Sequence, residues 1–203
     1  MRYYPVFLNL KAREAVVIGG GKVAERKVCA LLKAGAVVKV VSPAITQALK
    51  ILSQKGRITH IQRSYRKGDI KNAFVVIAGT SSIRINARIA KDAAHLVNVI
   101  DTPTEGNFIA PSIVKRGPLT IAVSTEGCSP AVSKAIRKEL EKLYGREFNY
   151  YLRLLGIMRK KALGKIKDNK ERQRFLKGLA SEKIFKMLRS KGFSALSKQI
   201  PNL

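Results

Sequence analysis

The chain has 203 residues, of which 46% are hydrophobic, so it is large and apolar enough to bury the cores of one or two domains. Its 40 lysine and arginine residues outnumber 13 acidic residues and give a net charge of +27, which favours an anionic partner. No apolar run approaches the roughly 18 residues of a membrane span, and the N-terminus lacks the apolar core of a signal peptide. Cys29 and Cys128 lack metal-ligand spacing. We therefore expect a cytoplasmic protein with free thiols.

Strands and helices alternate over the first half of the chain. The apolar run 15–18 ends at three glycines, and helical spacing then continues as far as Gly35, which predicts a strand, a tight turn and a helix. Later apolar runs predict strands at 37–41, 58–61, 73–78 and 97–100, with helices at about 44–54 and 83–93. Alternation of this kind requires right-handed crossovers, so it predicts an α/β fold: a Rossmann-type parallel sheet with helices on both faces.

The pattern changes after position 101. Two strands are predicted at 108–114 and 119–124, joined by a turn at 115–118, and a helix follows with Ser129 as N-cap and Pro130 in its first turn. From 146 onward, 16 basic and 4 acidic residues accompany apolar residues at helical spacing. We therefore predict a Rossmann-type domain over 1–111, a small α+β dimerisation segment over 112–145 and a basic helical domain over 146–203. A dimer is expected because two apolar strands that follow a completed sheet have few other places to bury both faces.

The glycine turn matches the dinucleotide-binding fingerprint in its alanine-ended form, Gly19-x-Gly21-x-x-Ala24. The first glycine permits the tight turn, the second lets the backbone approach a pyrophosphate, and the small third residue lets the helix pack on the strand. A purely structural turn is the competing interpretation. The strand before the motif and the helix after it favour dinucleotide binding.

The acidic residue that usually binds the adenosine ribose is missing after the second strand. Ser42, Pro43 and Ala44 stand there instead, and Ser42 can hydrogen-bond a ribose hydroxyl. No basic residue among these three can hold a 2′-phosphate, although Lys39 lies close by in sequence. NAD is therefore the expected cofactor, with NADP left open.

Three stretches of the first 145 residues resemble the precorrin-2 dehydrogenases, a family that includes the N-terminal module of bifunctional siroheme synthase. The matching stretches are Val16 to Lys27 (VVIGGGKVAERK), Asn98-Val99-Ile100-Asp101-x-Pro103 with Phe108-Ile109-x-Pro111-Ser112, and Ser124-Thr125-x-Gly127-x-Ser129-Pro130. The basic tail is similar to the family's helical C-terminal part only in kind.

This resemblance implies NAD-dependent oxidation of precorrin-2 to sirohydrochlorin and, in some members, insertion of ferrous iron into sirohydrochlorin. It also implies a homodimer whose protomers intertwine at about 112–145, and no synthesis of precorrin-2, because no methyltransferase module follows. Carried onto matching positions, it places NAD contacts at Lys22, Val23, Pro43 and Ala44, the family's functional aspartate at Asp101, and an active-site serine at Thr125.

The chemistry of these residues agrees with the implied reaction. Asp101 directly follows a buried strand, where a carboxylate can accept the proton that leaves with the hydride, and can also assist iron insertion or hold the cation transiently. A turn-forming Asp before Thr102 and Pro103 is the alternative. Ser124, Thr125 and Ser129 precede a helix N-terminus, which suits a substrate carboxylate, although capping explains them equally well.

Two other classes of function fit part of the sequence. A nucleotide-sensing regulatory domain would use the same glycine turn without chemistry, but it needs neither Asp101 nor the later motifs. A nucleic-acid binder fits the charge, yet no homeodomain, zinc-finger, RRM or KH pattern is visible, so nucleic acid is not the expected partner. His60 and His95 have no second ligand-type residue near them, so a metal site is not expected at either.

Overall fold

The computed structural model describes residues 3–199, which form two compact units divided between Ala110 and Pro111. Within the described range, every helix is too short or too polar to span a bilayer. Each unit has its own core.

The first unit is a five-stranded parallel sheet with the strand order β3-β2-β1-β4-β5. Its elements are β1 (Glu14–Ile18), α1 (Lys22–Lys33), β2 (Val37–Val41), α2 (Gln47–Gln54), β3 (Ile58–Ile61), β4 (Val75–Ala78), α3 (Ile83–Asp92) and β5 (Leu96–Val99). Ile18 is in register with Val41 on one side and Ala78 on the other, so these strands end at the same level. The strand order reverses between β1 and β4, which is where open α/β sheets bind ligands. The predicted Rossmann-type fold is confirmed.

Continuous apolar strands form this sheet because both of its faces are covered. Alternate residues of β1 enter different cores: Val17 packs with Val28 of α1, whereas Val16 packs with Ile89 of α3. Residues on successive positions of a strand point to opposite faces, so a strand buried on both sides contains no polar alternation.

Three elements begin two or more residues later than expected. Helix α2 begins at Gln47 rather than Ala44, because the Thr46 hydroxyl accepts a hydrogen bond from the Leu49 amide and caps the helix there. Strand β4 begins at Val75 rather than Ala73, because the Ala73 amide closes the short 3₁₀ helix Lys67–Ile70.

The strand expected from Phe108 begins only at Ser112. The preceding residues lie along β5 instead: the Asn107 side chain accepts a hydrogen bond from the Val97 amide at 2.8 Å, and the Asn98 side chain donates to the Phe108 carbonyl at 3.0 Å. Side-chain amides thus hold a segment that would otherwise pair as a strand.

The second unit combines an antiparallel hairpin with four helices. Its elements are β6 (Ser112–Arg116), β7 (Leu119–Val123), α4 (Pro130–Leu143), α5 (Glu147–Lys165), α6 (Asn169–Gly178) and α7 (Glu182–Ser197). Gly117 has φ +58° and Pro118 follows it, so a two-residue turn with glycine first joins the strands. The Ser129 hydroxyl caps α4 by accepting from the Val132 amide at 3.3 Å, as predicted.

The helices of this unit enclose a small aromatic core. Phe148, Tyr151, Leu188 and Leu196 are buried together. The Tyr151 hydroxyl donates to the Leu179 carbonyl, and burial raises the pKa of this phenol to about 12. The predicted helical character of the basic tail is confirmed for its described part.

Candidate dinucleotide site at the carboxyl edge of the sheet

The first two glycines of the turn are required by close backbone approach. Gly19 has φ +121°, and a Cβ there would overlap the carbonyl oxygen of Gly79, which follows β4. A Cβ on Gly20 would overlap the carbonyl oxygen of Ala44, in the loop after β2. The loops after β1, β2 and β4 therefore meet at the carboxyl edge.

Gly21 is different, because the fold does not require a glycine there. Its backbone is extended and exposed, and a Cβ would find no atom of residues 3–110 within 4 Å. Helix α1 begins at the next residue, and no side chain of the described unit caps its first amides. Ala24 is buried against the sheet, as the fingerprint predicts. Uncapped amides facing open space form an anion-binding arrangement suited to a pyrophosphate.

The loop after β2 is held in place by Ser42. This residue is buried; its hydroxyl donates to the Ala44 carbonyl at 2.7 Å, and its own carbonyl lies 2.9 Å from His60 Nε2. The Thr46 amide donates to the Gly20 carbonyl at 3.0 Å and ties this loop to the glycine turn. The hydroxyl proton of Ser42 is thus engaged within the loop, and its oxygen remains able to accept a hydrogen bond from a ribose hydroxyl.

Two basic residues, Lys39 in β2 and Arg63 in the segment after β3, are each already paired with a carboxylate. Lys39 Nζ lies 2.9 Å from Glu14 Oε1, and Glu14 is at the amino end of β1, opposite the glycine turn. The Arg63 guanidinium donates to both oxygens of Asp69 at 2.6 and 2.8 Å, and these hydrogen bonds lower the pKa of that carboxyl group. Neither cation is free to hold a 2′-phosphate.

The loop after β4 was missed by sequence reasoning. Gly79 lies against Gly19, and Thr80 is fixed by the buried Asn86, whose Oδ1 accepts from the Thr80 amide at 3.1 Å and hydroxyl at 2.8 Å. Ser82 then caps α3. The available signal was a run of small polar residues (Gly-Thr-Ser-Ser) between a buried strand and a helix. This loop lines the same edge as the glycine turn and extends the candidate site.

Asp101 also lies at this edge. The Ile100 amide donates to the Ala78 carbonyl at 3.0 Å, which places the following carboxylate just past β5 and beside β4. Asp101 is exposed, and its side chain has no hydrogen bond or ion pair among the described residues of its unit. The turn after it is closed by a backbone hydrogen bond, which the Glu105 amide donates to the Thr102 carbonyl. The Asp101 side chain takes no part in closing this turn.

Ser124, Thr125 and Ser129 belong to the second unit and close a compact loop. The Thr125 hydroxyl donates to the Ser129 carbonyl at 3.1 Å and accepts from its amide at 3.2 Å. Ser124 Oγ accepts from the Glu126 amide, and Ser129 Oγ caps α4. The hydroxyl protons of both serines remain available to donate to an anion, whereas the Thr125 hydroxyl proton is already used.

Within residues 3–199, no three or more His, Cys, Asp or Glu side chains gather as a metal site. The His60 ring is occupied by the Ser42 carbonyl, and the two cysteines are unbridged. The chemical capacity of this edge therefore rests on backbone amides, hydroxyl groups and one free carboxylate.

Two family models match the chain. Residues 6–112 match the family described as "Putative NAD(P)-binding", which covers more than half of the sequence. Residues 116–143 match the family described as "Sirohaem biosynthesis protein central". The first match spans the unit that contains the glycine turn.

Individual proteins show the same likeness. The chain is 36% identical to a siroheme synthase of Actinobacillus succinogenes over 98% of its own length, and 38% identical to one of Nitrosococcus oceani over 91%. It spans only 43% and 41% of those two relatives. The solved structure of SirC, a precorrin-2 dehydrogenase, superposes with a TM-score of 0.82 at 26% identity and covers 98% of both chains. The resemblance noted in the sequence is confirmed.

Proposed function

The chain belongs to the NAD(P)-binding family whose model spans residues 6–112, and we propose that it is an NAD-dependent dehydrogenase that oxidises precorrin-2 to sirohydrochlorin. One observation supports this proposal above the others. The carboxyl edge of one sheet carries both a glycine turn with uncapped amides and an exposed, unpaired carboxylate, Asp101.

Each residue has a defined task in this reaction. The amides at the start of α1 hold the pyrophosphate, and the absence of a side chain at Gly21 lets the phosphates come close. Bound NAD supplies the hydride acceptor. Asp101 accepts the proton that leaves the macrocycle, so removal of a hydride and a proton together accounts for the two electrons lost. Ser124 and Ser129 are proposed to donate hydrogen bonds to substrate carboxylates.

NAD is proposed over NADP. Ser42, Pro43 and Ala44 offer a hydroxyl oxygen to the ribose and no positive charge, and Lys39 and Arg63 are neutralised by carboxylates. A 2′-phosphate would meet no free cation at these positions.

Insertion of ferrous iron into sirohydrochlorin is proposed as a second activity of the same edge. The reaction must remove pyrrole N–H protons, and Asp101 is a carboxylate that no cation of its unit neutralises. Iron would enter as a substrate that Asp101 holds transiently.

We further propose that residues 112–145 form a homodimer interface within the second unit, in which the basic helices follow them. The hairpin and α4 expose four apolar residues, Ile113, Val132, Ile136 and Leu143. Three of these recur on one face of α4, and such a stripe is stabilised when a second copy covers it.

The test is to incubate the protein with precorrin-2 and NAD while recording the spectra of the macrocycle and of NADH. Equal amounts of NADH and sirohydrochlorin are expected, with slower turnover when NADP replaces NAD. Binding of NAD without any change in the macrocycle would instead support a nucleotide-sensing domain. Turnover with NADP at an equal rate would contradict the cofactor preference alone.

A further inference from the structure

The second unit contains a basic cavity that the proposed chemistry leaves unused. It measures about 380 Å³ and lies where the β6–β7 turn meets the start of α5. Its lining consists of Lys115, Arg116, Gly117, Arg146, Asn149 and Tyr150. Three of these six residues are cationic, and none is acidic.

The turn and α5 hold the cavity in a defined shape. A Cβ on Gly117 would overlap the side chain of Asn149, so the amide lies directly on the turn. Asn149 Oδ1 accepts from Arg153 Nε at 3.1 Å, which orients the amide nitrogen as a donor.

Arg116 is fixed by the backbone but keeps one donor unused. Its two terminal nitrogens donate to the carbonyls of Lys115, at 2.9 Å, and Glu141, at 3.3 Å. Its Nε is buried and has no hydrogen-bond acceptor among the described residues. Because this Nε is out of reach of solvent, Arg116 contributes positive charge to the cavity wall rather than a hydrogen bond to a ligand.

Other donors around the cavity are free as well. The Arg146 guanidinium and the Tyr150 hydroxyl have no partner among residues 111–199. The Tyr150 ring is 55% exposed and lies 5.8 Å from the ring of Phe193, so it forms an apolar wall next to the charges. Cations beside an exposed aromatic ring suit an anionic group attached to a flat, apolar body.

We propose that this cavity binds a carboxylate side chain of the tetrapyrrole substrate. The inference rests on the proposed function and adds to it a docking site in the second unit. Arg146 donates to the carboxylate in a fork, the Asn149 amide adds a neutral donor, Lys115 and Arg116 add positive charge, and Tyr150 contacts the macrocycle. A phosphate group would use the same donors, so the experiment must separate the two anions.

The experiment measures binding of uroporphyrin, a polycarboxylate macrocycle, by its fluorescence, and the KM for precorrin-2. Arg146→Gln is expected to raise the Kd for uroporphyrin and the KM for precorrin-2 by about tenfold or more, because it removes a charge-assisted contact with the carboxylate. The kcat and the Kd for NAD should not change, because the lost contact serves binding equally in the ground and transition states. Arg159→Gln is the matched control: it removes the same charge from an exposed position on the same helix and should change neither quantity.

Three results would overturn the inference. Equal loss of uroporphyrin binding in both variants would mean that general charge, not this cavity, attracts the macrocycle; unchanged binding in Arg146→Gln would exclude the site. In wild-type protein, displacement of uroporphyrin by tripolyphosphate but not by tricarballylate at equal ionic strength would assign the cavity to phosphate. Because uroporphyrin binding is measured without turnover, failure of the dehydrogenase assay is distinguishable from failure of this site.

Discussion

At the residue scale, the three consecutive glycines of the turn lack side chains for different reasons. Gly19 and Gly20 make room for the carbonyl groups of two neighbouring loops, so they serve the fold. Gly21 borders open space, so its missing side chain serves whatever occupies that space. Substitutions in the same turn should therefore separate folding from binding.

Gly21→Val should raise the Kd for NAD by about tenfold or more, because the branched side chain blocks backbone approach to the pyrophosphate. Its thermal unfolding should match that of the wild type. Gly20→Ala is the contrasting variant, and overlap with the Ala44 carbonyl should cost it about 1–3 kcal/mol of unfolding free energy. Titration calorimetry and thermal unfolding measure the two effects; wild-type NAD affinity in folded Gly21→Val would show that the turn is only structural.

Asp101→Asn should lower dehydrogenase kcat by about 10²–10⁴-fold, because an amide cannot accept the proton that leaves with the hydride. NAD affinity should persist, since the glycine turn is unchanged. Glu105→Gln is the matched control, because it removes another exposed carboxylate four positions away and should leave kcat unchanged. NADH formation and iron uptake by sirohydrochlorin are measured separately. Full NADH production by Asp101→Asn would remove this residue from the mechanism.

At the scale of elements, the sequence predicts what depends on local pattern. The strands and helices of the first unit follow from apolar periodicity, and the cap at Ser129 follows from residue type. The late start of β6 does not, because it depends on two hydrogen bonds across a turn, one accepted by the Asn107 side chain and one donated by the Asn98 side chain. The role of Gly20 likewise depends on a carbonyl group that lies 24 positions further along the chain, at Ala44.

Helix α4 has an exposed apolar face formed by Val132, Ile136 and Leu143, which is the proposed homodimer contact. Ile136→Glu should raise the dissociation constant of the homodimer by about 30-fold, which corresponds to about 2 kcal/mol for a central interface residue. Lys138→Glu introduces the same side chain about 200° around the helix and should leave the dimer intact. Sedimentation velocity over a concentration series distinguishes them. A wild-type protein that sediments as a monomer at micromolar concentration would contradict the interface itself.

At the scale of the whole molecule, the net charge of +27 is far larger than the contacts of a single site require. Many cations remain on the surface after the ion pairs with Glu14, Asp69 and Glu141 are formed. Their summed field would attract a polycarboxylate such as the proposed substrate over distances at which no hydrogen bond acts. The same field would attract nucleic acid. The salt dependence of turnover must therefore be measured together with competition by DNA.

Salt should weaken the capture of substrate by this field. Raising the salt concentration from about 50 mM to about 500 mM shortens the Debye length severalfold and screens long-range attraction. The kcat/KM for precorrin-2 should fall by about tenfold, because steering acts on the encounter rate, which electrostatic fields raise by about 10–10³-fold. The kcat should stay constant, since the bound substrate lies among fixed donors that salt screens little. Initial rates over a salt series with saturating NAD measure both quantities, and a short duplex DNA added at the lowest salt tests the competitor. A kcat/KM that is independent of salt would show that the charge does not serve substrate capture. Inhibition by DNA that is stronger than inhibition by uroporphyrin would assign the field to nucleic acid instead.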